Sequence, residues 1–130
     1  MVLHAIGWAT PAAFGAAVAA PDRRLILVTG AGSHQVTVQE IGQFGRRGIK
    51  PIVFVLNNSG NLIERLLCKN LDIAYNNVAP WRYSEIPHAL GCDGWLTARA
   101  TICAEFDAAL KAAEQANSAA YIEVVTAKLT

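Results

Sequence analysis

The chain has 130 residues, enough for one domain with a buried core, and 53% of them are hydrophobic against 16% charged. That balance excludes a disordered chain, and no uncharged run reaches the about 18 residues of a membrane span. Eleven Lys and Arg against ten Asp and Glu leave a net charge of +1, so no broad basic face offers itself to nucleic acid. Cys68, Cys92 and Cys103 form no C-x-x-C pair, which indicates neither a disulfide framework nor a zinc site; they read as buried, reduced thiols. With no basic segment of a secretory signal ahead of Pro11 and Pro21, the expected compartment is the cytoplasm.

In chain order, Thr10 and Pro11 before an alanine-rich stretch predict a helix capped by Thr10 and closed by Pro21. Residues 25–29 (LILVT) form a short continuous apolar run, the pattern of a strand buried on both faces of a parallel sheet. The run leads into a loop, Gly30-Ala31-Gly32-Ser33. Val36, Val38, Ile41 and Phe44 fit a helix over 36–46 that Gly48 stops. Residues 51–56 (PIVFVL) read as a second buried strand, followed by the turn formers Asn57-Asn58-Ser59-Gly60 and a helix over 62–68.

From 69 to 83 the periodicity is weak and predicts a long surface loop, after which Ser84 caps a short helix ending at Gly91. Residues 95–100 are a third strand. Thr101 then caps a helix with Ile102, Phe106, Ala109, Leu110 and Ala113 on one face, and residues 121–125 are a fourth strand. Strands alternating with helices predict an α/β fold, a doubly wound parallel sheet with helices on both faces. The whole of 1–130 reads as one domain, truncated at both ends.

Ligands of such sheets sit beyond the carboxyl ends of the strands, which here carry two small polar segments, 30–33 and 57–60. Gly-x-Gly ahead of a helix lets backbone N–H groups approach an anion, and a phosphate fits there. The ordinary dinucleotide fingerprint is disfavoured, because Val36 or Thr37 stands where it wants a third glycine and Leu56-Asn57-Asn58 where it wants an acid. The second segment offers an amide side chain and a glycine carbonyl to a hard cation, so the two together suit a magnesium diphosphate.

The stretch GAGSHQVTVQEIGQFGRRGIKPIVFVLNNSGNLIER resembles the thiamine-diphosphate signature of pyruvate and indolepyruvate decarboxylases, which runs from G-D-G to N-N. IGWATPAAFGAAVAAPDRRLILVTG ahead of it and IEVV after it extend the resemblance over nearly the whole chain. It implies the C-terminal, diphosphate-binding domain of a lyase that converts a 2-keto acid to an aldehyde with thiamine diphosphate and magnesium. Gly32 and Ser33 would then meet the diphosphate, the Asn58 side chain and Gly60 carbonyl would ligate magnesium, and Ile6 and Ile63 would line the cofactor. Glu64 matches the acid beside the reacting centre. The domain or subunit that grips the aminopyrimidine would lie elsewhere, so the isolated chain is expected to be inactive and to self-associate as a homo-oligomer.

Three departures from the signature stand out. Ala31 replaces the aspartate and weakens the metal site, His4 stands where a small residue is usual, and Asn61 where an aromatic is usual. A degenerate, non-catalytic assembly domain of the same fold is the alternative they raise. His34 reads as an ordinary hydrogen-bonded histidine, and His88, Trp81 and Trp95 as packing or surface residues.

Overall fold

The computed structural model describes residues 5–69 and 73–128. Four parallel strands form one sheet: β1 (Ile26–Gly30), β2 (Ile52–Asn57), β3 (Leu96–Ala100) and β4 (Ala120–Val125), in the order β1-β2-β4-β3. Each lies within a residue of the apolar run that predicts it. Helices α1 (Ala9–Ala19), α2 (Ala31–Thr37) and α3 (Glu40–Arg46) cover one face of the sheet. There Leu27, Val53, Val55 and Tyr121 pack with Ala31, Ile41, Tyr83 and Cys92. On the other face α6 (Cys103–Gln115) sets Ala109 and Ala113 against Ala120 and Ile122, with Phe54 and Val124 beside them.

Side chains alternate across a strand, so an edge strand covered on one face only shows its other face to water. Edge strand β1 buries Leu27 and Thr29 toward α1–α3 and leaves Ile26 and Val28 about 60% exposed. α6 does not extend over them, and Ile102 and Leu110 at its flank are exposed as well, which narrows its expected apolar face to Phe106, Ala109 and Ala113. Among the described residues no helix is long and apolar enough to cross a membrane.

The helix expected over 36–46 starts earlier and is divided. Gly30 ends β1 and caps α2, so residues 31–33 are the first turn of a helix and not a loop. Between α2 and α3 the chain tightens, with Ile41 N–H on Val38 C=O and Gly42 N–H on Gln39 C=O, where the β-branched run Val36-Thr37-Val38 disfavours continued α-helix. Gly48, at φ +65°, ends α3 as expected: its N–H reaches Gly45 C=O and that of Ile49 reaches Phe44 C=O, a paired closure that needs a left-handed residue.

The expected capping side chains are the part that fails, since no helix among the described residues has a side-chain cap. Thr10 lies inside α1, buried, and bonds His34. Ser84 sits in a 3-10 turn (Tyr83–Glu85) ahead of α5 (Ile86–Ala89). Thr101 donates both its N–H and its hydroxyl to Glu105 at 2.7 Å, so the glutamate reaches back to the chain entering α6. The three thiols are free, but Cys92 alone is buried; Cys68 is half-buried and Cys103 exposed.

Candidate functional site

Parallel strands bring their carboxyl ends to one edge of the sheet, and β1 and β2 are neighbours with Gly30 paired to Leu56. The two glycine-bearing segments therefore emerge side by side. They touch at Gly32, where a Cβ would collide with the Asn61 side-chain oxygen and meet Val78 Cγ1 at 3.3 Å. A residue larger than glycine would require the Asn61 side chain to turn away and Val78 to give slightly. The Asn61 side chain thus lies against the first segment.

The first segment is tied down from the other side. The Ser33 hydroxyl accepts the Gly7 N–H at 2.9 Å and keeps its proton to donate, while Thr37 donates to the Gly7 carbonyl at 2.7 Å. Gly7 has φ +89° and would, with a Cβ, meet Val36 Cγ1 at 2.8 Å, so two constraints demand glycine there. These bonds hold Ile6, half exposed, beside the start of α2. His4 lies outside the described residues.

The second segment is a turn with Ser59 at φ 59°, closed by the Asn57 side chain accepting Ser59 N–H at 3.1 Å and the buried Asn58 side chain accepting Gly60 N–H at 3.4 Å. Beneath it lies Arg65, on α4 (Leu62–Leu67), with only 1% of its surface exposed. Its guanidinium donates to the carbonyls of Asn58 at 3.0 Å, Ser59 at 2.8 Å and Lys128 at 2.8 Å, and to Asn77 Oδ1 at 2.8 Å. A Cβ on Gly60 would strike this guanidinium and the Asn76 carbonyl, so the close approach requires glycine.

Among the described residues no carboxylate pairs with this buried cation, and its field favours an anion at the turn. It disfavours a bare metal ion there, which would need the anion's charge with it. Among the described residues no group of three or more His, Cys, Asp or Glu could hold a metal. Ala31 is fully buried within the apolar cluster of Leu27, Val53 and Tyr121, where it contributes packing.

Ile63, on α4, is 57% exposed, and Glu64 is half-buried in the first turn of that helix. Glu64 stands near a pair in which Cys68 Sγ and Tyr75 Oη lie 2.9 Å apart. The Tyr75 hydroxyl is raised above its ordinary value first by the hydrogen bond to Cys68, with the charge of Glu64 a smaller cause. Beyond the ends of β2 and β4 opens a cavity of about 430 Å³ lined in part by Asn57, Ser59, Trp81, Arg99 and Glu123. Glu123, nearly fully buried, accepts from Asn57 Nδ2 at 2.7 Å and pairs with Arg99 at 3.3 Å.

Sequence reasoning gave no role to Arg65 or Glu123. The signal for Glu123 is an acid inside the apolar strand AYIEVV, since a buried charge needs partners; Arg65 in LIERLL carries a weaker form of the same signal. His34 is the ordinary hydrogen-bonded histidine expected: fully buried, with Nδ1 3.2 Å from Thr10 Oγ1 and Nε2 2.8 Å from Tyr121 Oη. Trp95 packs against the core, Trp81 lies beside Tyr83, and His88 is exposed and pairs with Asp93.

Two glycine turns at adjacent carboxyl ends of a parallel sheet, one opening a helix and the other underlain by a buried cation, define a phosphate-binding α/β domain. A family model described as the C-terminal TPP binding domain of thiamine pyrophosphate enzymes matches residues 1–124. The chain belongs to that family. It is 44% identical over 125 residues to an alpha-keto-acid decarboxylase of Mycobacterium ulcerans (strain Agy99) and 42% identical over the same length to those of Mycolicibacterium paratuberculosis (strain ATCC BAA-968 / K-10) and Mycobacterium tuberculosis (strain ATCC 25618 / H37Rv). Each match covers 95% of this chain and 22% of the relative, so the relatives carry much that this chain does not span.

Proposed function

We propose that the chain is the diphosphate-binding module of a thiamine-diphosphate-dependent 2-keto acid decarboxylase, acting on pyruvate, indolepyruvate or a similar acid with a second domain or subunit that holds the aminopyrimidine. The observation that carries this reading is the contact of Gly32 with Asn61, which sets the start of α2 against the Asn57–Gly60 turn. Gly32 and Ser33 would offer N–H and O–H donors to the diphosphate, and Ile6 and Ile63 apolar walls to the cofactor. Asn58 and the Gly60 carbonyl would face magnesium, which without a carboxylate would be held chiefly through diphosphate oxygens. When bound, the thiazolium ring supplies the electron sink for loss of carbon dioxide. Glu64, half-buried beside that site, would hold or pass the proton that the product aldehyde requires.

The exposed apolar residues Ile63, Leu66, Leu67 and Tyr75 around α4 are the surface that a partner domain would cover, and they favour self-association of the isolated chain. A cytoplasmic location accords with three free thiols. The burial of Ala31 favours a second reading, a non-catalytic assembly domain that folds without cofactor.

Calorimetric titration with thiamine diphosphate, with and without magnesium, separates the two. Ala31→Asp should tighten magnesium-dependent binding at least about 100-fold, by analogy with ligand losses at metal sites, and Asn58→Ala on top of it should remove the gain. Equal, metal-independent binding by all three proteins would mean that these segments are only turns.

A further inference from the structure

A cavity of about 550 Å³ lies at the opposite edge of the sheet from the site described above. Leu25, Lys50 and Ser118, just ahead of β1, β2 and β4, frame it together with the ends of α1, α3 and α6. Its walls carry Arg23, Arg24, Arg47 and Lys50, four of the eleven basic residues of a chain whose net charge is +1, against the single acid Asp22. Among the described residues none of the four forms an ion pair with a carboxylate. Arg24 instead donates to the Ser118 carbonyl at 2.9 Å, and Lys50 Nζ lies 3.5 Å from the Asn117 side-chain oxygen.

The plain account is that these cations answer the helix C-termini meeting there, each worth about half a negative charge. Three such ends plus Asp22 do not balance four full charges, so the mouth stays positive. Beside the cations lie Ala17, Pro21, Leu25 and Ile49, an apolar wall next to a charged rim. A volume of this order accepts a ligand of nucleotide size.

We propose that this cleft binds a polyphosphate anion carrying a flat apolar body, of the nucleoside di- or triphosphate class: Arg23, Arg24, Arg47 and Lys50 take the phosphates and the Ala17–Ile49 side takes the base. The proposal is independent of the cofactor site, and the two separate by metal dependence, since here protein cations meet the phosphates directly.

The test is titration of the chain with ATP, inorganic pyrophosphate and adenosine in EDTA at low salt. ATP should bind more tightly than pyrophosphate, and adenosine weakest. Arg47→Ala combined with Lys50→Ala should weaken ATP at least about tenfold, the worth of one charge-assisted hydrogen bond, because both side chains are exposed and their loss leaves the core intact. Arg82→Ala combined with Lys111→Ala, removing equal charge outside the cleft, and Asn58→Ala at the other edge should leave ATP binding unchanged. Equal weakening by the two double variants, or no ATP binding at all, overturns the site. Pyrophosphate binding as tightly as ATP, or adenosine binding as tightly, overturns the assigned ligand class.

Discussion

His34 makes the stability of this domain depend on pH within a narrow, calculable window. Burial disfavours the charged imidazolium and lowers its pKa from 6.5 to about 4. The unfolded chain takes up a proton near 6.5 while the folded chain stays neutral, so unfolding gains protons as pH falls. Stability from this group is complete above about 6.5, declines down to about 4, and falls no further once both states are protonated. At 1.36 kcal/mol per pKa unit the whole effect is about 3 kcal/mol, of which roughly half falls between pH 6.5 and 5. That is a large part of the roughly 5–15 kcal/mol that holds a domain together. Urea unfolding at pH 7.5, 6.5, 5.5 and 5 measures it, with His34→Leu as the comparison. The variant loses the bonds to Thr10 and Tyr121 at every pH, but its stability should change less across the window by that same amount. Identical slopes for the two proteins from pH 6.5 to 5 would refute a neutral, buried His34.

Arg65→Met should destabilise the chain by about 3–5 kcal/mol in the same urea assay, because it strips a donor from four acceptors at once; a loss below about 1 kcal/mol would show that they find water instead. Glu105 is held below the ordinary carboxylate range first by the Thr101 N–H and then by its hydroxyl, so its stabilising effect is present above about 4.5 and is lost as pH falls from there. Glu105→Gln should flatten only that acid limb of the stability curve, which begins at the lower end of the His34 window. With a maleimide, exposed Cys103 should react first and buried Cys92 last, since burial raises the Cys92 thiol and hides it; mass spectrometry of timed samples reads the order.

Strand positions were legible because strands of a covered parallel sheet are rich in apolar residues, as LILVT, PIVFVL and AYIEVV are, although edge strand β1 leaves Ile26 and Val28 exposed and β4 carries the buried Glu123. The two glycine segments were legible for a related reason: glycine at a helix start and in a polar turn marks a close approach, of the Asn61 side chain at Gly32 and of Arg65 and the Asn76 carbonyl at Gly60. Helix starts were not. Thr10 and Thr101 look like caps by type and place, but each has a tertiary or reversed partner, His34 in one case and Glu105 in the other. Nothing local distinguishes a threonine that caps from one that bonds a residue 24 positions away. The grip of Arg65 on the turn was illegible for the same reason, because its partners reach as far as Lys128.

Position 31 shows how closely core and site are joined. It is the first residue of α2, directly after the strand that delivers the glycine segment, yet its side chain belongs to the cluster of Leu27, Ile41, Val53 and Tyr121. A carboxylate placed there without a counter-ion would lie against apolar side chains, at a cost of several kcal/mol or a strongly raised pKa. Arg65, a buried cation, is already committed to four acceptors, those of Asn58, Ser59, Asn77 and Lys128. An aspartate at 31 would therefore be tolerated chiefly when a metal ion faces it, and the fold of such a domain would lean on its cofactor. Alanine removes that dependence: the core closes over a methyl group, and the turns are held by Asn61, Ser33 and Arg65 whether or not a ligand is present. In the proposed module, diphosphate recognition would then rest on N–H donors and on the field of one buried guanidinium.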